Sequence, residues 1–275
     1  MRAVPRSILL AAAAAVVAAA VPASAQGLPP SVLGVALLPG WRDAGGAQVA
    51  AVEIRLAPGW HTYWRSPGAV GIPPQFDWTA SENLAGVAYE WPRPEVFETF
   101  GATSIGYADR LVLPIVLTPE IAGQPVEARL DLAFALCKEI CIPAHAQVAA
   151  RLDATPTPAE TRAAIERALA ARPVDGARAG VTRARCTLGA GAEGVTLTAE
   201  VDFATPPPSD MAAVIEAADR PDLWIGEAET RVEGSRLRAV APLEAPGGVA
   251  LDRGDLRLTL IAQGGAVDIK GCPGG

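Results

Sequence analysis

Short runs of alternating apolar and polar residues recur along most of the chain, and Pro and Gly separate them. Residues 49–56 read VAAVEIRL, residues 111–117 read LVLPIVL, and residues 126–136 read VEARLDLAFAL. Alternation with a period of two is typical of a strand that has one buried face. Many such strands with turn signals between them predict a β-sandwich or a barrel. We therefore expect one β-sandwich at residues 26–153 and a second all-β domain at residues 179–275.

A different pattern occupies residues 154–178, which contain the sequence AETRAAIERALAARP. This stretch is rich in good helix formers, and Ile165 and Leu169 are spaced to lie on one helical face. Thr157, followed three residues later by Glu160, matches the capping-box arrangement at a helix N-terminus. The segment is predicted to be a short helical linker between the two β domains.

The first 25 residues have the three-part layout of a secretory signal peptide. Arg2 and Arg6 give a basic start, residues 8–21 are apolar, and small residues at 23–25 offer a cleavage site. The apolar stretch is shorter than the roughly 20 residues that a membrane span needs. We therefore expect export to the bacterial periplasm, and no later segment is long and apolar enough to predict a span.

The charge balance argues against two classes of partner. The formal net charge is −7 at pH 7, and the sequence contains no run of basic residues. Such a chain has no electrostatic footprint for nucleic acid or for an anionic membrane surface.

Four cysteines in an exported protein predict disulfides, because the periplasm is oxidising. Three pairings are possible, and the positions favour Cys137 with Cys141 and Cys186 with Cys272. A three-residue interruption between strands at 138–140 predicts a hairpin with the first two cysteines opposed. Opposed Cα atoms lie about 4.5–5.5 Å apart, within the range of about 4.4–6.8 Å that a disulfide accepts.

The two predicted disulfides are expected to have different roles, one in redox chemistry and one in stability. A bridge closing three residues removes little entropy from the unfolded chain, so Cys137–Cys141 is a weak staple. Exposed, short-loop disulfides tend towards oxidising potentials, which favours a redox-active pair. The bridge between Cys186 and Cys272 closes a long loop, a constraint worth roughly 4–5 kcal/mol, and is expected to be structural.

Four motifs in order resemble the N-terminal periplasmic domain of the disulfide reductase family DsbD. They are GWHTYW at 59–64, FETFG at 97–101, YADRLVLP at 107–114, and the cysteine hairpin that ends in CIP at 141–143. The resemblance implies an immunoglobulin-like sandwich, protein-disulfide reductase chemistry without a cofactor, and the family's links to cytochrome c biogenesis. It covers about half of the chain beyond the predicted signal peptide.

In that family the cysteine pair receives electrons from a membrane-embedded partner and passes them to periplasmic thioredoxin-like proteins. A mobile cap loop covers the pair, and the matching positions here are Phe100 with Glu98 beside it. His61 and Tyr63 match neighbours of the pair.

The spacing of the cysteines is shorter than in the best-known members of the family and is similar to that in members linked with copper tolerance. The membrane part is missing, so the resemblance implies an electron donor on a separate chain.

Two alternatives stay open at this stage. Cys137, Cys141 and His145 have a spacing that could ligate copper, because thiolate and imidazole suit soft or borderline metals. A non-catalytic structural or interaction module is equally compatible with two β domains, since a fold does not determine a function.

Overall fold

A computed structural model describes residues 27–99, 101–191, 194–217, 220, 223–244 and 251–272. The predicted signal peptide, residues 1–25, and Phe100 lie outside this set. No helix in the described part of the chain is long and apolar enough to cross a membrane.

Ten strands form the first domain, in two facing sheets. They are β1 Val32–Arg42, β2 Gln48–Leu56, β3 His61–Gly68, β4 Gln75–Asp77, β5 Gly86–Tyr89, β6 Glu95–Thr99, β7 Ala102–Ala108, β8 Arg110–Thr118, β9 Val126–Cys137 and β10 Cys141–Leu152. One sheet has the order β1-β2-β8-β5, and the other has the order β10-β9-β3-β7-β6, with β4 also paired to β9. Alternate residues such as Leu113, Leu132 and Leu136 are fully buried between the sheets. In the first half of β9, the polar residues at 127, 129 and 131 alternate with buried ones and are half-buried or exposed.

The remaining strands form a second pair of sheets. They are β11 Val174–Asp175, β12 Val181–Gly191, β13 Gly194–Phe203, β14 Ala212–Ala217, β15 Trp224–Ile225, β16 Glu229–Glu233, β17 Arg236–Glu244, β18 Leu256–Ala262 and β19 Gly265–Lys270. Their orders are β11-β19-β18-β14 and β12-β13-β17-β15, with β16 also on β17. A disulfide joins Cys186 to Cys272 inside the core of this domain. The expected all-β fold with an immunoglobulin-like first sandwich and a second β domain is confirmed.

Helix α1, Ala159–Ala170, connects the two domains and packs on the first one. Ile165 is fully buried against Val49 and Ala51 of β2. The capping-box interpretation is wrong, because the residue at the N-cap is Pro158 and no side chain caps the helix. The hydroxyl of Thr157 instead donates to the carbonyl of Gly40, so docking of the linker on the sandwich has replaced the local cap.

Polar and apolar contacts hold the two β domains together. The guanidinium of Arg65 on β3 makes two hydrogen bonds to the carboxylate of Glu216 on β14, at 3.0 and 2.8 Å. Ile261 of β18 belongs to the buried core of the first domain, and Val214 packs against that core. The strand that carries His61 and Tyr63 is therefore tied directly to the second domain.

Candidate functional site

The cysteine pair lies at the end of the β9–β10 hairpin. β9 ends at Cys137, β10 begins at Cys141, and the two residues are direct partners in the ladder. Residues 138–140 form the connecting loop, as the interruption in the sequence pattern predicts. A disulfide joins the two cysteines, whose Cα atoms are 4.1 Å apart.

The two sulfur-bearing residues differ sharply in access to solvent. Cys137 is only 1% exposed, whereas Cys141 is exposed and follows Ile140, which is 64% exposed. Thiol–disulfide exchange needs a thiolate to reach one sulfur of the bond. Of the two cysteines, Cys141 is therefore the residue that solvent can reach.

Strand β3 brings His61 and Tyr63 to the same outer face of the sheet. His61 is the ladder partner of Cys137, and the hydroxyl of Tyr63 lies 3.2 Å from Sγ of Cys141. Tyr63, Ala135 and Cys137 form a small buried cluster on this face. Local patterns did not predict this contact, because it depends on β3 pairing with β9 over more than 70 residues of intervening chain. The family resemblance was the only signal that pointed to both residues.

Burial sets the protonation of both side chains. Removal from water lowers the pKa of His61 below its ordinary value of 6.5, so the imidazole is neutral at pH 7. Burial also raises the pKa of Tyr63 above 10.0, which keeps its hydroxyl protonated and able to donate. The site therefore presents a neutral hydrogen-bond donor to the sulfur of Cys141.

The β6–β7 hairpin contributes an aromatic ring next to the pair. Phe97 stacks on His61 with ring centroids 4.4 Å apart and planes 9° from parallel. The sequence reasoning did not assign Phe97, although it lies three residues before the expected cap residue Phe100, which is outside the described residues. Glu98 is exposed and accepts a hydrogen bond from the hydroxyl of Thr103 at 3.1 Å.

The geometry separates His145 from the cysteines. It lies on the exposed face of β10 and its Nε2 pairs with the carboxylate of Asp131. Four steps along one strand from Cys141 amount to about 13 Å, too far for both side chains to share one metal ion. Within the described ranges, no group of three or more His, Cys, Asp or Glu residues could hold a metal. The copper alternative therefore has no geometric support at this site.

Residues 35–153 match a family model described as "Thiol:disulfide interchange protein DsbD, N-terminal". The first domain is of the DsbD N-terminal type. In this DsbD-type domain the matched residues include the whole β9–β10 hairpin and the strand that carries His61 and Tyr63. The cysteine pair thus lies inside a thiol–disulfide interchange module.

The two domains together resemble a solved structure. It is the crystal structure of the N-terminal periplasmic domain of ScsB from Proteus mirabilis, at 21% sequence identity and a TM-score of 0.67. The match covers 86% of this chain and 92% of that chain. At this identity the likeness concerns the fold alone, and it extends the shared fold beyond the DsbD-type domain into the second β domain. A search of the curated proteins finds no match.

Proposed function

We propose that this protein is a periplasmic thiol–disulfide exchange protein that relays electrons through Cys137 and Cys141. Its electron donor is a dithiol on a separate, membrane-embedded chain, and its clients are periplasmic thioredoxin-like proteins. The observation that carries the proposal is the disulfide between an exposed residue, Cys141, and a buried one, Cys137, with the hydroxyl of the buried Tyr63 against Sγ of Cys141. A bond that served only as a staple in a three-residue loop would add little stability.

The first half of the relay reduces the pair. A thiolate of the donor attacks Sγ of Cys141, the Cys137–Cys141 bond breaks, and Cys137 leaves as a thiolate. The second thiolate of the donor then attacks the mixed disulfide and releases Cys141. Two electrons pass to this protein, and the donor becomes a disulfide.

The second half passes the same two electrons to a client. The thiolate of Cys141 attacks one sulfur of the client's disulfide, and the client's other sulfur leaves as a thiolate. Cys137 then attacks Cys141, re-forms the internal bond and releases the client as a dithiol. Because Cys137 is buried, it is suited to resolve the mixed disulfide and not to attack a large partner.

Tyr63 is placed to assist both halves of the relay. When Cys141 is a thiolate, the protonated hydroxyl can donate a hydrogen bond to it, and bonds to charged groups are the stronger ones. His61 is the ladder partner of Cys137, and because its imidazole is neutral at pH 7 it adds no charge beside the buried cysteine.

Single cysteine variants test this assignment. With a disulfide-bonded thioredoxin-like probe protein, the reduced Cys137→Ser variant should accumulate a stable mixed disulfide through Cys141. The Cys141→Ser variant should form far less, because the remaining sulfur is buried. Non-reducing gel electrophoresis with mass spectrometry measures both. Transfer that survives in both variants, or equal trapping by both, would contradict the proposal and favour a structural role for the hairpin.

A further inference from the structure

A groove of about 560 Å³ lies between the two β domains, beside the strand that carries Tyr63. Residues 65–69 and Pro73, which follow Tyr63 along the chain, form one wall. β14 and residues 223–228 of the second domain form the other. The volume falls within the range of about 300–1,000 Å³ that is typical of ligand sites.

The chain that forms one wall of the groove also contacts a side chain beside the redox pair. The loop that builds its first wall rests on the ring of Tyr63, since a Cβ placed at Gly71 would lie 2.9 Å from Cδ1 of that tyrosine. The hydroxyl of the same ring lies 3.2 Å from Sγ of Cys141. The segment that follows β3 therefore contacts the same tyrosine whose hydroxyl touches Cys141.

The second wall includes an edge strand, some of whose outward peptide groups already have partners: the N–H of Ala213 donates to Thr230, and the carbonyl of Ala217 accepts from the N–H of Arg220. β14 is the outermost strand of its sheet, and its ladder partner among the described residues is β18. The backbone N–H of Ala213 points away from β18, because it donates to the hydroxyl of Thr230. Since strand peptide groups alternate in direction, those of Ile215 also point away from β18, and Ile215 is one of the residues that line the groove.

The lining favours an uncharged occupant. Arg65 of the first wall is paired with Glu216 of the second, and the remaining charged residue of the described lining, Glu227, disfavours an acidic occupant. Most other lining residues are apolar or small, and Trp224 at the edge of the groove is 51% exposed. In the loop of the first wall, Val70 and Ile72 are 49% and 51% exposed. An exposed Trp beside a groove is a typical binding anchor.

We propose that this groove docks the extended, uncharged segment that flanks the reactive cysteine of a thiol partner. The segment would add a strand to the edge of β14, with apolar side chains against Trp224 and residues 66–73, which form the end of β3 and the loop after it. Such strand addition takes affinity from main-chain hydrogen bonds and specificity from side-chain pockets. The inference rests on the proposed function and assigns the second domain a part in partner recognition.

Two peptide disulfides test the inference with the reduced full chain. Each is a peptide of about 12 residues, long enough to span the groove, whose single cysteine near one end is disulfide-bonded to glutathione. In one, valine alternates with threonine after the cysteine; in the other, glycine alternates with serine. The attacked bond and the leaving group are thus the same. We expect the valine peptide to react about fivefold faster or more, the effect of one well-packed anchor.

Groove variants give the decisive comparison. Trp224→Ala and Ala69→Glu should each bring the ratio of the two rates close to one, the first by removing the anchor and the second by placing a charge in the groove. Leu188→Ala, at an exposed apolar residue of β12 in the same domain, is the matched control and should keep the wild-type ratio. A wild-type ratio near one, or a ratio that survives both groove variants, would overturn the inference. Absence of reaction with both peptides would overturn the proposed function as well.

Discussion

Two side chains of β3 determine the chemical surroundings of the sulfur atoms. Tyr63 contacts the exposed cysteine and His61 faces the buried one, and both are themselves buried. Residues two apart on a strand share a face, so the sequence HTY is enough to put both rings on one side of β3. Only the pairing of β3 with β9 decides that this side also holds the cysteines.

Removing the hydroxyl of Tyr63 should reduce the reactivity of Cys141. In the reduced Tyr63→Phe variant, the thiolate of Cys141 loses a hydrogen-bond donor, so a smaller fraction of it is ionised at pH 7. We expect alkylation of Cys141 by iodoacetamide to slow by roughly three- to tenfold, from the strength of hydrogen bonds to charged groups. Tyr89→Phe removes a hydroxyl that contacts Trp78 elsewhere in the same domain and serves as control. An unchanged or faster rate in Tyr63→Phe would contradict a role for its hydroxyl.

Protonation of His61 should destabilise the fold at mildly acidic pH. Burial lowers its pKa in the folded state, whereas in the unfolded chain it titrates near 6.5. The unfolded state therefore binds the proton first, and stability is lost as the pH falls below about 6.5 towards the folded-state pKa.

The His61→Phe variant isolates this contribution, because it keeps a ring to stack on Phe97 and removes the titrating group. Urea unfolding at pH 8 and pH 5.5 should show a smaller loss of stability in the variant than in the wild type. Equal losses in the two proteins would show that His61 is not held neutral in the folded state.

At the scale of elements, the sequence patterns predicted strand pairing best where the two strands are joined by a short loop. The interruption at 138–140 predicted the cysteine hairpin and the opposition of its two cysteines, because a ladder pairing across a short loop is local. The glycine pair Gly264-Gly265 predicts the two-residue turn of the last hairpin, but the structure places the turn at Gln263-Gly264, because Gly265 pairs with Ala262. Two adjacent glycines satisfy either register, so the cross-strand packing of β18 and β19 decides between them.

At helix α1, a tertiary contact replaces the N-cap that the local sequence predicts. The residue pattern predicted α1 and its buried face, but Thr157 turns away from the helix to the carbonyl of Gly40. The docking of α1 on β2, which sequence periodicity cannot reveal, explains both that hydrogen bond and the complete burial of Ile165.

Truncating Ile165 tests whether α1 belongs energetically to the first domain. Ile165→Ala removes a fully buried side chain packed on Val49 and Ala51, and should lower the free energy of unfolding by about 2–5 kcal/mol. Arg167→Ala, at an exposed position of the same helix, should change it by less than about 0.5 kcal/mol. Urea denaturation measures both. If Ile165→Ala lowers the free energy of unfolding by no more than Arg167→Ala does, then α1 only connects the two domains and does not stabilise the first one.

At the scale of the whole molecule, the fold class followed from the alternating pattern, but the arrangement of the two domains did not. The bond between Arg65 and Glu216 joins residues 151 positions apart, and no local signal marks them as partners. The same limit applies to the proposed docking groove, whose walls come from both domains. These long-range contacts give the second domain a direct connection to the redox strand.

The two disulfides of the molecule are expected to differ in reduction potential, so one redox titration can compare them. Cys186 and Cys272 are fully buried in the second core, whereas Cys141 is open to solvent. A buried bridge that closes a long loop is expected to resist reduction, with a potential below about −300 mV. A bridge that exchanges electrons with protein partners needs a potential comparable with theirs.

The central claim is tested most directly by the reduction potential of the Cys137–Cys141 pair, measured by glutathione titration with thiol trapping and mass spectrometry. The relay account predicts a value at or above about −230 mV, within the range of proteins that exchange thiols and disulfides. A value below about −300 mV, alongside that of the Cys186–Cys272 bridge, would mark a structural bond and contradict the account.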